Sequence, residues 1–326
     1  MSSKEIGGFF EFGLSNLGQF PYPNALKYSS ARSAFYDLLQ QKQIKKIWMP
    51  KFICNSMIEP LKLLSIDILY YDLTDTFFPI LPKLLESDEY LLYVNYFGIC
   101  TSVQIELLNL YPLDKLIFDH SQAFFLAPLD CFATIYSPRK FLAVAEGGLL
   151  ETTLDITPEY HLRESNEMLE QYQHSLIRCL THAGNAYPQF KKSESKFNDC
   201  LPKQISAITQ NILQSLDYAS IKKKRLENFN FLHEKLGHFN QLKINLDQIE
   251  SPLTYPLMVD QNAIEFLISE KIYTPTYWLD SLDRVELDSF ESKLISKTTH
   301  LICDQRYSIM DMQNQVDKLK EFINEY

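Results

Sequence analysis

The first half of the chain alternates short β-rich runs with stretches of helix length. Residues 46–49, 66–71, 90–94, 116–118 and 132–136 concentrate aromatic and aliphatic side chains, while apolar-periodic segments occupy 31–41 and 55–64. This alternation predicts an α/β fold with a mostly parallel central sheet flanked by helices. Such sheets bind ligands at the carboxyl ends of their strands, so chemistry is expected just after each run.

A length of 326 residues suggests two domains. Hydrophobic residues make up 46% of the chain, enough to build a core and far from a disordered composition. With 41 acidic against 31 basic residues, the net charge of −10 argues against nucleic acid or an anionic membrane as partner. A small local anion site remains compatible with it. The amino-terminal stretch lacks a signal-peptide pattern, and the most apolar window, 141–150, contains Glu146 and a glycine pair. It falls short of the roughly 18 apolar residues of a membrane span, so a cytoplasmic protein is expected. Six scattered cysteines without a C-x-x-C pair, and seven dispersed histidines, predict reduced thiols and no metal site.

The domain boundary is expected near residue 198, with a cofactor-binding α/β domain over 1–198 and a long helix plus a smaller C-terminal α+β domain over 199–326. Residues 157–198 are polar and read as an exposed connection. Beyond them Ile205, Ile208, Ile212 and Leu216 share a helical face that resumes at Ile221 and runs to Leu236, predicting one long helix or a broken pair. Strands are expected at 242–246 and 254–259. A closing helix presents Met312, Val316, Leu319 and Ile323 on one face.

The chemistry concentrates in residues 116–151. One strand candidate ends in Asp119, followed by Gln122 and Ala123; the next ends in Ser137-Pro138-Arg139-Lys140, six residues before Glu146-Gly147-Gly148. In a parallel sheet the two strand ends lie side by side, and an acid and an amine then face one pocket. A lysine forms a Schiff base with an aldehyde cofactor, and a carboxylate behind the ring nitrogen of pyridoxal 5'-phosphate keeps that nitrogen protonated. At about 4 Å and an effective dielectric near 20, such a charge pair is worth roughly 4 kcal/mol. Gln122 can reach the ring hydroxyl. The segment Ser29-Ser30-Ala31-Arg32-Ser33-Ala34 opens a helix with capping residues, as a phosphate site requires.

Each residue also has a plainer reading. Asp119 can cap the helix that follows it. Gly147 and Gly148 can form a turn, and His120 reads as a packed side chain. Arg32 and Arg139 suit a phosphate, a donor carboxylate or structural ion pairs.

These residues stand in a recognisable order. Asp119-His120-Ser121-Gln122-Ala123 resembles the D-x-x-Q/H-A motif of the DegT/DnrJ/StrS sugar aminotransferases, and residues 140–148 resemble their K-x-L-x-x-x-E/D-G-G. Ser30-Ala31-Arg32-Ser33-Ala34-Phe35 is similar to their S-G-x-x-A-L, Met49-Pro50-Lys51-Phe52 to V-P-S-F/Y, and Asn95-Tyr96-Phe97-Gly98 to H-L-F/Y-G. Weaker likeness continues through 206–217, 225–229 and 304–307, so that the resemblance spans most of 20–326. It implies the fold-type I architecture of pyridoxal phosphate enzymes and an aminotransferase using an amino-acid donor such as glutamate on a nucleotide-linked keto sugar, for polysaccharide or another glycan. The working unit it implies is a homodimer. Lys140 and Asp119 are the implied catalytic residues, and Ser30, Ala31, Arg32, Phe52, Cys54, Gln122 and Ser137 join them around the cofactor. Tyr277-Trp278 resembles the family's substrate-side segment.

The departures are specific. The family's stacking aromatic falls on Cys54, which leaves either Phe52 as a substitute or a weaker stack. Ser137 stands three residues before the lysine, where the family has about five. The family's partner-reaching asparagine and arginine fall on Pro202 and Gln204, with Asn198 nearby. These substitutions keep open an alternative, a non-catalytic protein of the same fold with a binding or regulatory role.

Overall fold

Glu89–Val94 is buried along its whole length, as a strand covered by helices on both faces must be. The computed structural model of the chain describes residues 8–10, 12–82, 84–197, 199–250 and 252–325. Asn198 lies outside the described residues. In chain order the elements are β1 (Leu26–Tyr28), α1 (Ala31–Lys42), β2 (Lys46–Pro50), α2 (Asn55–Leu63), β3 (Asp67–Tyr71), β4 (Glu89–Val94), α3 (Thr101–Leu110), β5 (Leu116–Asp119), β6 (Ala133–Tyr136) and β7 (Gly148–Thr152). There follow α4 (Ser165–Leu180), α5 (Ala183–Ser195), α6 (Ala207–Gln214), α7 (Tyr218–Leu236), β8 (Thr254–Met258), α8 (Ile264–Ser269), α9 (Phe290–Lys297), β9 (Thr298–Ile302) and α10 (Ile309–Glu325).

The large sheet has the order β1-β7-β6-β5-β4-β2-β3. Its five strands from β6 to β3 are mutually parallel, whereas β7 runs antiparallel to both β6 and β1. After β3 the chain returns to place β4 on the other side of β2, so the strand order switches there. Ligand sites open at such a switch, outside the carboxyl ends of the strands. The register pairs Val94 with Asp119 and Asp119 with Ile135, which sets the ends of β4, β5 and β6 level with one another.

The second sheet is the antiparallel pair β8 and β9, with Leu257 opposite Thr299. Phe229, Leu232 and Leu236 of α7 and Met312, Val316 and Leu319 of α10 are buried in the hydrophobic cluster that also holds Tyr255, Leu257 and Leu301. The same cluster contains Ile47, Leu91 and Phe118, so apolar packing continues from one sheet to the other.

Two expectations need correction, and one open alternative is decided. Residues 157–198 are not a simple connection: most of them form α4 and α5. Their buried residues are only Gln171, Tyr172, Ala186 and Ser193, half of them polar, so little apolar periodicity marked the pair. The 205–236 stretch is a broken pair, because Asp217 takes the amide of Ser220 and starts α7 afresh. Residues 242–246 form no strand; β8 finds its partner in the unpredicted β9.

The first glycine of β7 has no substitute. A Cβ at Gly148 would lie 2.1 Å from the carbonyl carbon and oxygen of Ser30, while Gly147 holds φ at +125° in a region that glycine tolerates. Gly147 also donates its amide to Ser29 at 2.7 Å. Gly148→Ala is expected to cost about 3 kcal/mol, as overpacking against backbone does. Gly184→Ala, at a helical site with open space around it, should stabilise by about 0.5 kcal/mol. Urea unfolding of the two variants checks this; equal midpoints would refute the close contact at Ser30.

Candidate active site

Lys140 and Asp119 reach one cleft from neighbouring strands. Asp119 closes β5 with its side chain buried; the Ser121 amide donates to Oδ1 at 2.7 Å, and no described side chain bonds Oδ2. After β6 the chain makes one tight turn, Pro138–Lys140, which leaves Lys140 half-buried at the cleft wall. Its Nζ has no hydrogen-bond or ionic partner among the described residues, unlike most lysines of this chain whose ammonium groups are paired. The Cys54 thiol senses both groups: burial pushes its pKa up, the Lys140 charge pulls it back, and the Asp119 charge raises it further.

Ser30, Ala31, Arg32, Cys54, Gln122 and Ser137 line the same cleft as Asp119 and Lys140. The space they leave is a slot of about 80 Å3. Ser30 caps α1, its Oγ accepting the Ser33 amide at 3.1 Å, so the first amides of the helix open at the slot. Gln122 is buried and held by the Phe97 amide, which donates to Oε1 at 2.7 Å; its Nε2 has no partner among the described residues. Buried amide donors are ordinarily satisfied, so this one marks a place for an acceptor.

Phe52 is the exception among the predicted residues. It lies beneath the cleft, stacked on Tyr96 at 5.5 Å and edge-on to Trp278 at 4.6 Å, and it does not line the slot. The turn after β2 sends residue 52 into the core and brings Cys54 to the surface of the slot as the cap position of α2. Trp278 supplies the aromatic wall instead. Its φ of +55° is rare for so bulky a residue, and the Ser281 hydroxyl and amide both donate to its carbonyl.

The sequence reading missed Ser56, Met57, Val94 and Phe197, which also line the slot. Ser56 follows the cap of α2 and was findable as a second helix N-terminus after a parallel strand. Phe197 was not, since it ends the helix pair that read as a connection. The arginines are engaged: Arg32 pairs with Glu59 at 2.8 Å and Ser56 at 2.9 Å, and Arg139 pairs with Glu194. Glu146 is fully buried, bound by Arg163, by the Ser206 amide at 2.9 Å and by the Thr209 hydroxyl at 3.0 Å. It ties the glycine pair before β7 to the cap of α6.

A free amine, a strand-end carboxylate, an unsatisfied amide donor and the start of a helix make a donor set that fits pyridoxal phosphate. Lys140 suits its aldehyde, Asp119 its ring nitrogen, Gln122 its hydroxyl, and Ser30, Ala31 and Ser137 its phosphate.

No protein-family model matches this sequence, and no curated protein matches it. Solved structures match its fold. A DegT DnrJ EryC1 StrS aminotransferase from Brucella abortus gives a TM-score of 0.65 at 13% identity, over 94% of this chain and 88% of that one. DesI, solved in the presence of its TDP-sugar product, gives 0.63 at 14% identity, over 93% and 81%. NtdA from Bacillus subtilis, with the cofactor PMP bound, gives 0.62 at 14% identity, over 96% and 78%. The architecture expected from the sequence, a mostly parallel sheet with a smaller α+β part, is thus the fold of these aminotransferases.

Two buried histidines give the chain a measurable pH dependence. Burial pushes His120, which bonds Gln104 at 2.9 Å, and His300 down to about 3. Both stay neutral in the folded chain at pH 5, whereas an unfolded histidine gains a proton below about 6.5. The unfolded state then binds more protons, and stability falls from about pH 6.5 toward 3. Between pH 7 and 5 the loss should be about 2 kcal/mol per histidine. Urea unfolding at the two pH values checks it, and His120→Gln must show the shallower dependence; an unchanged slope would disprove the burial effect.

Proposed function

We propose that this chain is a pyridoxal-phosphate-dependent aminotransferase that moves an amino group from an amino acid, glutamate being the expected donor, to a keto sugar carried on a nucleotide. One observation carries the reading: the unpaired amine of Lys140 and the carboxylate of Asp119 line a single slot beside the capped start of α1. The fold neighbours support it, since one was solved with PMP and another in the presence of a TDP-sugar product. A two-fold dimer with the slots at its seam is the working unit in this reading.

When bound, the cofactor supplies an electron sink for the pair left on the carbon that loses its proton. Lys140 Nζ is the group that would hold the cofactor's aldehyde, and as a free amine it would serve as the base that moves that proton. Asp119 Oδ2, with no hydrogen-bond donor among the described residues, would keep the proton on the ring nitrogen. Gln122 Nε2 donates to the ring hydroxyl, while Ser30, Ala31 and Ser137 bind phosphate oxygens. Arg32 lends positive charge to the phosphate end. Cys54 and Trp278 grip the ring and exclude water from it.

The first test is chemical. The chain incubated with pyridoxal phosphate and reduced with borohydride should gain one covalent adduct, mapped by mass spectrometry to Lys140. Lys140→Ala should lose the adduct and at least ~10³-fold in turnover, the scale of a removed acid–base group. Asp119→Asn should still take the adduct yet turn over about 10³-fold more slowly, the rate equivalent of roughly 4 kcal/mol. Labelling elsewhere would overturn the assignment. A labelled protein that no amino acid converts would instead establish the non-catalytic alternative.

A further inference from the structure

The cation next to Lys140 is set apart from the other arginines of the cleft. Arg139 lies in the same turn, lines the slot, and grips Glu194 with both terminal nitrogens, Nη1 on Oε1 and Nη2 on Oε2, the latter at 3.2 Å. Its guanidinium lies 4.7 Å from the ring centroid of Phe197, which also lines the slot. This is a forked carboxylate clamp with one flat face already packed, the geometry in which arginine holds a carboxylate by two parallel hydrogen bonds.

The carboxylate now in the clamp is weakly committed to it. The two side chains are 25% and 37% exposed, so water competes with the pair. Glu194 also stands in the last turn of α5, where the helix dipole opposes a negative charge. The buried pair of Glu146 and Arg163 is different, at 0% and 4% exposure and tied at both ends to further groups, among them Gln171, Ser206 and Thr209. Arg32 is different again, shared between Glu59 and Ser56 on the side of the helix start.

We propose that Arg139 is the carboxylate-binding residue of the slot, and that Glu194 is a built-in occupant of this subsite which the α-carboxylate of the amino donor displaces. The proposal rests on the aminotransferase reading. It deepens that reading by naming what distinguishes an amino acid from a simple amine: a carboxylate held beside the Lys140 amine.

Glutarate tests the subsite without reacting, since it has carboxylates and no amine. Its binding to the full chain is measured by isothermal titration, with and without pyridoxal phosphate. Arg139→Gln should weaken glutarate at least about tenfold, and Arg139→Lys should fall between, because it keeps the charge and loses the fork. Glu194→Gln should tighten glutarate about threefold or more. An unchanged constant in Arg139→Gln, or weaker binding in Glu194→Gln, overturns the proposal. If Arg139→Gln does not fold, as read by circular dichroism, the direction of the Glu194→Gln effect decides alone. Cofactor labelling at Lys140 is scored separately: a chain that takes no pyridoxal phosphate but binds glutarate through Arg139 refutes the earlier reading and keeps the clamp.

Discussion

The close approach of Gly148 to the backbone of Ser30 is the constraint on which the site depends. It joins the start of β7, which follows the Lys140 turn, to the cap of α1, and it does so through backbone with no side chain between. Any Cβ would push the two apart. With the contact in place, the helix start and the lysine turn lie on opposite sides of one slot, and the parallel register delivers Asp119 to its floor. The glycine pair has no functional group of its own, yet the approach of the Lys140 turn to the start of α1 depends on it.

How much of this was legible depended on the length scale of the signal. The parallel strands were readable because each is a buried apolar run bounded by helical periodicity. Asp119 and Lys140 were readable because strand ends in such a sheet converge. Residue 52 was misplaced because alternation fails in an irregular turn, where no periodicity tells inward from outward. β1, with three residues, was too short to register, β7 and β9 mix apolar with polar residues instead of forming a clear apolar run, and α4 and α5 bury too little apolar surface to announce themselves. What the sequence could not show at all was side-chain commitment. That Lys140 has no partner among the described residues while Arg139 is occupied by Glu194 of α5 is a fact of three-dimensional neighbours.

The buried polar groups divide by what they do to the backbone. Glu146 accepts from an amide, a hydroxyl and a guanidinium, so removal of any one donor leaves a buried charge short of a partner. Such a group fixes structure. Among the described residues Gln122 is held by one end only, and it lines the slot. A half-satisfied buried amide is costly unless something binds there, so its persistence beside Asp119 argues for a ligand with an acceptor at that edge.

The lysine turn is suspended from its far side as well. Arg225 is buried with no salt bridge among the described residues, although the Asp304 charge favours its cation; its guanidinium bonds the carbonyls of Phe141, Pro252 and Leu253 and lies 4.6 Å from the Phe141 ring centroid. Gln305 links the same guanidinium to the Phe141 carbonyl, donating to that oxygen at 2.8 Å. Desolvation lowers the Arg225 pKa, a cost these carbonyls and the ring offset. The residue after Lys140 is therefore anchored to α7 and to the segment after β9, while the glycines before β7 are anchored to α1. A turn held from both sides can keep its lysine in place while side chains around it change. This is how a fold shared with aminotransferases 13% or 14% identical to this chain persists here. The constraint lies in backbone carbonyls and glycines, which substitution elsewhere leaves intact.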